Sequence, residues 1–391
     1  MGAYERLGAR PVINATCHWT IYGGSIMWPE VVEAMAEARE SCVDMRALLD
    51  GAGEVISRYT RAEASYVVSG CAAALQAGAA AILAGDDPVR QAALPHADGL
   101  MKHQFIARRF PRRRTPDGRE YAYQSYAQAV MGAGGTFVEV GSDADGVTRE
   151  ELEAAFTSET AGVYWTSDGL EPGVQLDEVV RIAHAHGVPV LVDASNTLPP
   201  AEHLYAFVEQ GADLVAFSGG KGLRGPQGSG ILTGRADLIR AARAQSAPEH
   251  GIGRSLKVSK EEIVGLVTAL ELWAAQDHAA AMDVAKRRTD HVVEALTDIQ
   301  GVRAEHRFPD HRGRPYPTAF IHLDPASGLT GSEVIAQLLA GEPSVAIMSY
   351  DDPQIVRADV RILTDAEAEI VAERLRAVLS RSPIGQGVPT V

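Results

Sequence analysis

The chain has 391 residues, 46% hydrophobic and 22% charged, the proportions of an ordinary globular protein with room for a large domain and a smaller one. A net charge of −15 disfavours a nucleic-acid surface, which needs clustered positive charge, and no apolar run approaches the ~18 residues of a membrane-spanning helix. The three cysteines, Cys17, Cys42 and Cys71, form neither a disulfide framework nor a metal-ligand spacing, so a cytoplasmic protein without a metal is expected.

In chain order, residues 1–59 read as an N-terminal arm whose helix starts at Pro29, a residue suited to a first helical turn, and runs to Glu40. Residues 60–250 alternate strand and helix, which predicts a mostly parallel sheet wrapped by helices. The strand Ser65 to Val68 is followed by Ser69-Gly70-Cys71 and an alanine-rich helix reaching about Leu83. A basic run, Arg108 to Arg114, reads as a solvated loop or an anion-recognising one, and Tyr121, Tyr123 and Tyr126 follow it. Further strands are predicted at Thr136–Val140, Thr160–Thr166, Val188–Val192 and Leu214–Phe217, with helices near Arg149–Phe156, Leu176–His186 and Glu202–Gln210. Residues 251–391 read as a long linking helix, Lys260 to Gln276, and a small α+β domain with strands at Thr318–Leu323 and Asp359–Leu363.

Three strand ends carry chemistry. Leu214–Phe217 ends in Ser218-Gly219-Gly220-Lys221-Gly222, where the glycines leave room for a flat ligand beside the amine; desolvation there favours the neutral amine that attacks carbonyls. A lysine in a surface loop is the plain alternative. Val188–Val192 ends in Asp193, at the carboxyl edge where open α/β sheets bind ligands, although a helix N-cap is also open to it. A carboxylate facing a pyridinium nitrogen, with a lysine Schiff base across the ring, is what pyridoxal phosphate chemistry requires. The Ser69-Gly70-Cys71 turn opens a helix whose free N–H groups suit a phosphate, and Ser218 adds a hydroxyl.

The segments RPVINATCHWT from Arg10, GGSIMWPEVVEAM from Gly23, FSGGKGLRGPQGSGIL from Phe217 and HGIGRSLKVSKEEIVGL from His250 carry a resemblance. The chain resembles the fold-type I pyridoxal phosphate enzymes, in the group similar to bacterial selenocysteine synthase and D-glucosaminate-6-phosphate ammonia-lyase. This implies an α/β fold with a mostly parallel seven-stranded sheet and a smaller α+β C-terminal domain, in a homodimer or higher even homo-oligomer. It implies that Lys221 carries the Schiff base, Asp193 meets the ring nitrogen, and Ser69, Gly70, Cys71 and Ser218 hold the phosphate, with Gln227 completing a partner's phosphate site. Relatives often stack a histidine on the ring; here Tyr123, then Tyr121, stands in for it. Ser195 and Asn196 bring polar groups beside the ring where relatives tend to have alanine. Arg254, Lys257, Arg361 and Arg357 are the candidates for gripping an anionic substrate, with Asn14, Thr20 and Ser25 lining the substrate side.

The expected activity is carbanion chemistry on a small amino acid or amino sugar acid. Elimination of a β-substituent giving a 2-keto acid and ammonia comes first and transamination second; racemisation, retro-aldol cleavage and a non-catalytic binding role stay open. Selenocysteine synthesis is not expected, because those relatives carry an added N-terminal domain for tRNA, whereas RPVINA here starts at Arg10.

Overall fold

The computed structural model describes residues 2–166 and 172–380. The chain divides into two compact units, one formed by Ile26–Ala275 and the other by residues up to Ser25 together with those from Gln276 on. These limits differ from the expected 1–59, 60–250 and 251–391. Residues 26–59 are no arm: the helix Pro29–Ala38 and the unforeseen helix Met45–Thr60 pack in the larger unit, as does the expected linker Lys260–Ala275.

The larger unit is built on a seven-stranded sheet. Its strands are β1 (Ala64–Val68), β2 (Gln104–Arg108), β3 (Thr136–Val140), β4 (Thr160–Thr166), β5 (Val190–Asp193), β6 (Leu214–Ser218) and β7 (Gly230–Gly234). The spatial order is β1-β7-β6-β5-β4-β2-β3, in which only β7 runs antiparallel to its neighbours. β5 and β6 are buried almost throughout, as continuous apolar runs covered on both faces should be. The helix Cys71–Ala84 lies on the sheet with ten buried residues, and its alanines permit the close approach: even at Gly78 a Cβ would come to 3.1 Å from a Leu191 methyl.

Two strands of this sheet were not foreseen. Gln104–Arg108 runs into the arginine stretch, and Gly230–Gly234 begins and ends in glycine, a turn signal. The arginine stretch is loop only from Arg109 to Pro111, and Arg109, Arg113 and Arg114 are exposed. Arg112–Arg114 pairs antiparallel with Glu120–Ala122, Arg112 and Arg114 bond Glu139 and Glu120 at 2.9 and 3.0 Å, and Arg108 lies over the Trp165 ring.

The smaller unit holds a four-stranded antiparallel sheet in the order Val302–Arg307, Thr318–Leu323, Ile355–Ala358, Met348–Ser349. The helices His278–Glu294, Gly331–Ala340 and Asp365–Leu379 supply its core with Val292, Val334, Leu338, Val371 and Leu375. The N-terminal strand Val12–Asn14 joins this unit by parallel pairing with Ser344–Ala346.

Candidate active site

The parallel strands β5 and β6 end side by side, since Asp193 is in register with Ala216, and each is followed by residues of the expected site. Asp193 is 8% exposed and both oxygens of its carboxylate have partners. Oδ1 accepts the Ser195 N–H at 3.0 Å, Oδ2 accepts the Tyr164 hydroxyl at 3.1 Å, and the Cys71 thiol reaches Oδ1 at 3.8 Å. Desolvation, reinforced by the Asp193 charge, pushes the Cys71 thiol well above its ordinary range, so it serves as a neutral donor.

Lys221 is half-buried and its Nζ donates to Ser195 Oγ at 3.5 Å. The lysine and Asp193 are therefore tied to one short segment, Asp193 to Ser195. The glycines beside Lys221 are places where the chain passes close to its neighbours. A Cβ at Gly222 would meet the Leu198 carbonyl oxygen at 2.5 Å, and one at Gly220 would strike Gln227. They let the lysine loop pack tightly against its own neighbours.

The phosphate-type turn is present. Gly70, at φ 95°, caps the helix Cys71–Ala84 with no side-chain hydrogen bond to its first turn, so those N–H groups point outward unclaimed by a cap. β7 passes so close that a Cβ at Gly230 would sit 2.5 Å from the Gly70 carbonyl carbon. Gly230 is in register with both Val68 and Ser218, which sets the turn and Ser218 on either side of one strand. The Ser69 hydroxyl, expected to face a phosphate, instead donates to the Leu256 carbonyl at 2.8 Å. It anchors the 250s loop, on which Arg254 and Lys257 are exposed, as is Gln227.

Tyr123, expected to stack on the ring, is not the tyrosine beside the lysine. Tyr123 carries the Arg113 guanidinium 3.3 Å from its ring centroid, and Tyr121 lies opposite Arg113 in the hairpin. It is Tyr126 that faces the lysine, with Nζ 5.6 Å from its ring centroid. The turn Ser125–Ala127 brings it there, with Ser125 at the left-handed φ of 47°, a strained value for a non-glycine residue. Desolvation, then the charge of Asp193, raises the Tyr126 phenol above its ordinary value. For Tyr164 the signal in the sequence is a tyrosine inside a largely apolar strand, one strand from the acid.

The remaining candidates belong to the smaller unit. Asn14 is occupied in shaping its own loop, accepting from the Thr16 N–H and hydroxyl at 3.1 and 2.6 Å and donating to the Cys17 and Gly24 carbonyls. Thr20 opens an exposed 3-10 turn, and Ser25 is buried. Arg361, expected to grip a substrate carboxylate, is held by Asp359 through Nε at 3.0 Å and Nη2 at 2.8 Å and lies over the Tyr316 ring. Burial opposes its charge, yet Asp359 keeps the guanidinium above its ordinary value. Arg357 donates to the Ser349 carbonyl at 3.1 Å and sits 3.2 Å from His311. No group of three or more metal-ligating side chains occurs among the described residues.

Taken together, the larger unit offers an amine for a carbonyl, a buried carboxylate for a cationic ring nitrogen, a helix N-terminus for a dianion and an aromatic face near the amine. These donors fit pyridoxal phosphate. The Aminotransferase class-V family profile matches residues 122–327. The D-glucosaminate-6-phosphate ammonia lyase of Salmonella typhimurium is 33% identical, over 96% of this chain and 97% of its own. A 5'-C-glycyluridine monooxygenase-decarboxylase of a Streptomyces species is 32% identical, over 96% and 92% respectively. A solved D-glucosaminate-6-phosphate ammonia-lyase superposes with a TM-score of 0.80 at 31% identity, over 98% of this chain and 99% of that one. The chain belongs to the class-V aminotransferase family and is a pyridoxal phosphate-dependent enzyme of fold type I.

Proposed function

We propose that the enzyme is an ammonia-lyase acting on a small amino acid or amino sugar acid with a hydroxyl at the β-carbon, with D-glucosaminate 6-phosphate as the first substrate to try. The observation that carries the reading is the meeting of Lys221 Nζ with Ser195 Oγ, two residues beyond a carboxylate whose two oxygens are both held. Pyridoxal phosphate, when bound, supplies a sink for the electron pair left when a bond to the α-carbon breaks.

The protein's own residues do the rest. The Gly70–Cys71 helix start would hold the phosphate, Asp193 would accept the ring N–H, and Tyr126 would offer the ring a flat face. Lys221 would hold the cofactor through its Nζ, and when free that Nζ would take the α-proton, while Ser195 Oγ would keep the amine from swinging away. Loss of hydroxide from the β-carbon, with the α-proton, amounts to loss of water. The resulting enamine takes up one water and releases ammonia and a 2-keto acid. Exposed Gln227, Arg254 and Lys257 are presented to an anionic substrate or to a second copy in an even homo-oligomer. Cysteines that are all free, including exposed Cys42, suit a reducing cytoplasm.

The test incubates the purified yellow protein with D-glucosaminate 6-phosphate and no keto-acid acceptor. Ammonia and keto acid should appear one for one, and Lys221→Ala should lower the rate by roughly 10²–10⁴-fold. Keto acid formed only when an acceptor is added would make it an aminotransferase. Oxygen uptake with release of carbon dioxide would align it with the Streptomyces relative instead.

A further inference from the structure

Tyr164 is 3% exposed within β4, and the chemistry proposed above gives it no task. Its place follows from the sheet. In the parallel pair, Tyr164 is in register with Leu191 and Thr166 with Asp193, so Tyr164 and Asp193 are diagonal neighbours on one face. An aromatic side chain spans such a diagonal, and the hydroxyl donates to Oδ2 at 3.1 Å. Oδ1 is held from a different direction, by the Ser195 N–H of the following turn. The carboxylate cannot rotate about its Cβ–Cγ bond without breaking both bonds. The tyrosine ring is fixed independently of its hydroxyl, because Phe137 packs edge-on against it at 5.8 Å between centroids and Phe110 packs against Phe137 at 5.1 Å.

We propose that Tyr164 is a positioning residue which, through its hydroxyl, fixes the plane of the Asp193 carboxylate and so sets how tightly and in what electronic state pyridoxal phosphate is held. This rests on the reading that Asp193 meets the ring nitrogen. A hydrogen bond to a charged group supports the plane far better than side-chain packing alone, since packing does not distinguish the two faces of a planar carboxylate.

The experiment is a double-mutant cycle read by binding and spectrum rather than turnover. Pyridoxal phosphate is titrated into apoprotein of the wild type, Tyr164→Phe, Asp193→Asn and the double variant, and the visible band of each bound form is followed with pH. Tyr164→Phe should weaken binding about tenfold and alter the pH at which the band changes, while in the Asp193→Asn background the same substitution should cost less than about twofold. An equal loss in both backgrounds, or an unaltered affinity and band, overturns the proposal. Phe137→Leu, which loosens the ring's packing but keeps the hydroxyl, should leave the band's pH dependence unchanged; a shift matching that of Tyr164→Phe also overturns it. Should Tyr164→Phe fail to fold, 3-fluorotyrosine at 164 keeps the shape and strengthens the donor, and an unmoved band then counts against the idea. A wild-type protein that binds no pyridoxal phosphate would instead sink the cofactor reading itself.

Discussion

Arg361 and Asp359 are each only 7% exposed in their side chains, and a charge pair this far from water survives because each partner compensates the other. Asp359→Ala would leave the guanidinium buried beside Tyr316 and the Cys17 thiol, which burial already pushes up to about 12. The expected cost is ~3–5 kcal/mol of stability, read by urea denaturation, because the charge stays buried while its partner is gone. A second residue-scale prediction concerns Tyr126. If its ring is the flat face beside the amine, Tyr126→Phe leaves pyridoxal phosphate affinity within about twofold, whereas Tyr126→Ala weakens it by about 2- to 12-fold, the range of one aromatic contact of ~0.5–1.5 kcal/mol. Titration of the apoproteins checks both. Lys221 and Asp193 were legible as neighbours, because Asp193 closes one continuous apolar run and Lys221 follows the next after the turn Ser218-Gly219-Gly220. Tyr126 was not, because choosing among three tyrosines depends on the hairpin that gives Tyr123 to Arg113 and on the left-handed turn at Ser125.

At the scale of elements, the strands Val302–Arg307 and Thr318–Leu323 are stitched by Glu305, which accepts from Arg303 and Arg307 at 2.6 Å along its own strand and from His322 at 3.1 Å across the pair. Desolvation works to raise this carboxyl, but the three donors outweigh it and hold it at about 2, below its ordinary 4.5. A depressed carboxyl stabilises the folded chain above its unfolded value and loses that contribution as pH falls through the folded one. The pairing should therefore weaken between pH 4.5 and about 2. Glu305→Gln should be less stable than wild type at neutral pH and should close that gap as pH falls through this window; a gap independent of pH would show that Glu305 acts only by packing. Strand prediction succeeded where both faces are covered, as in β5 and β6, and failed where a local signal pointed elsewhere. The glycines bounding Gly230–Gly234 read as turns, yet Gly230 is required by the approach of β7 to the Gly70 turn. Met45–Thr60 contains Gly51 and Gly53, poor helix formers, but a side chain at Gly53 would collide with the Ser65 carbonyl, so packing dictates what propensity disfavours.

For the whole molecule, the strand-helix alternation and the length were enough to foresee an α/β unit and an α+β unit, because those patterns are local. The assignment of the first residues was not, because it depends on pairing across the length of the chain. Val12–Asn14 adds to Ser344–Ala346, and the Asp359 N–H donates to the Ala15 carbonyl at 2.8 Å. Ala15 lies in the same core as Val345, Ile347 and Val360. Deleting residues 1–15 would therefore leave the edge of Ser344–Ala346 unpaired and uncover apolar side chains of a unit to which those residues contribute core. The larger unit, whose core contains none of them, has no such loss to bear. Amide hydrogen exchange separates the two, since protection reports local opening. The expected result is faster exchange throughout Thr318–Leu323 and Ile355–Ala358, with Val190–Asp193 and Leu214–Ser218 as protected as in the intact chain. Uniformly faster exchange in both sheets would mean that the units unfold as one body, and unchanged exchange in the smaller sheet would mean that the N-terminal strand is dispensable to it.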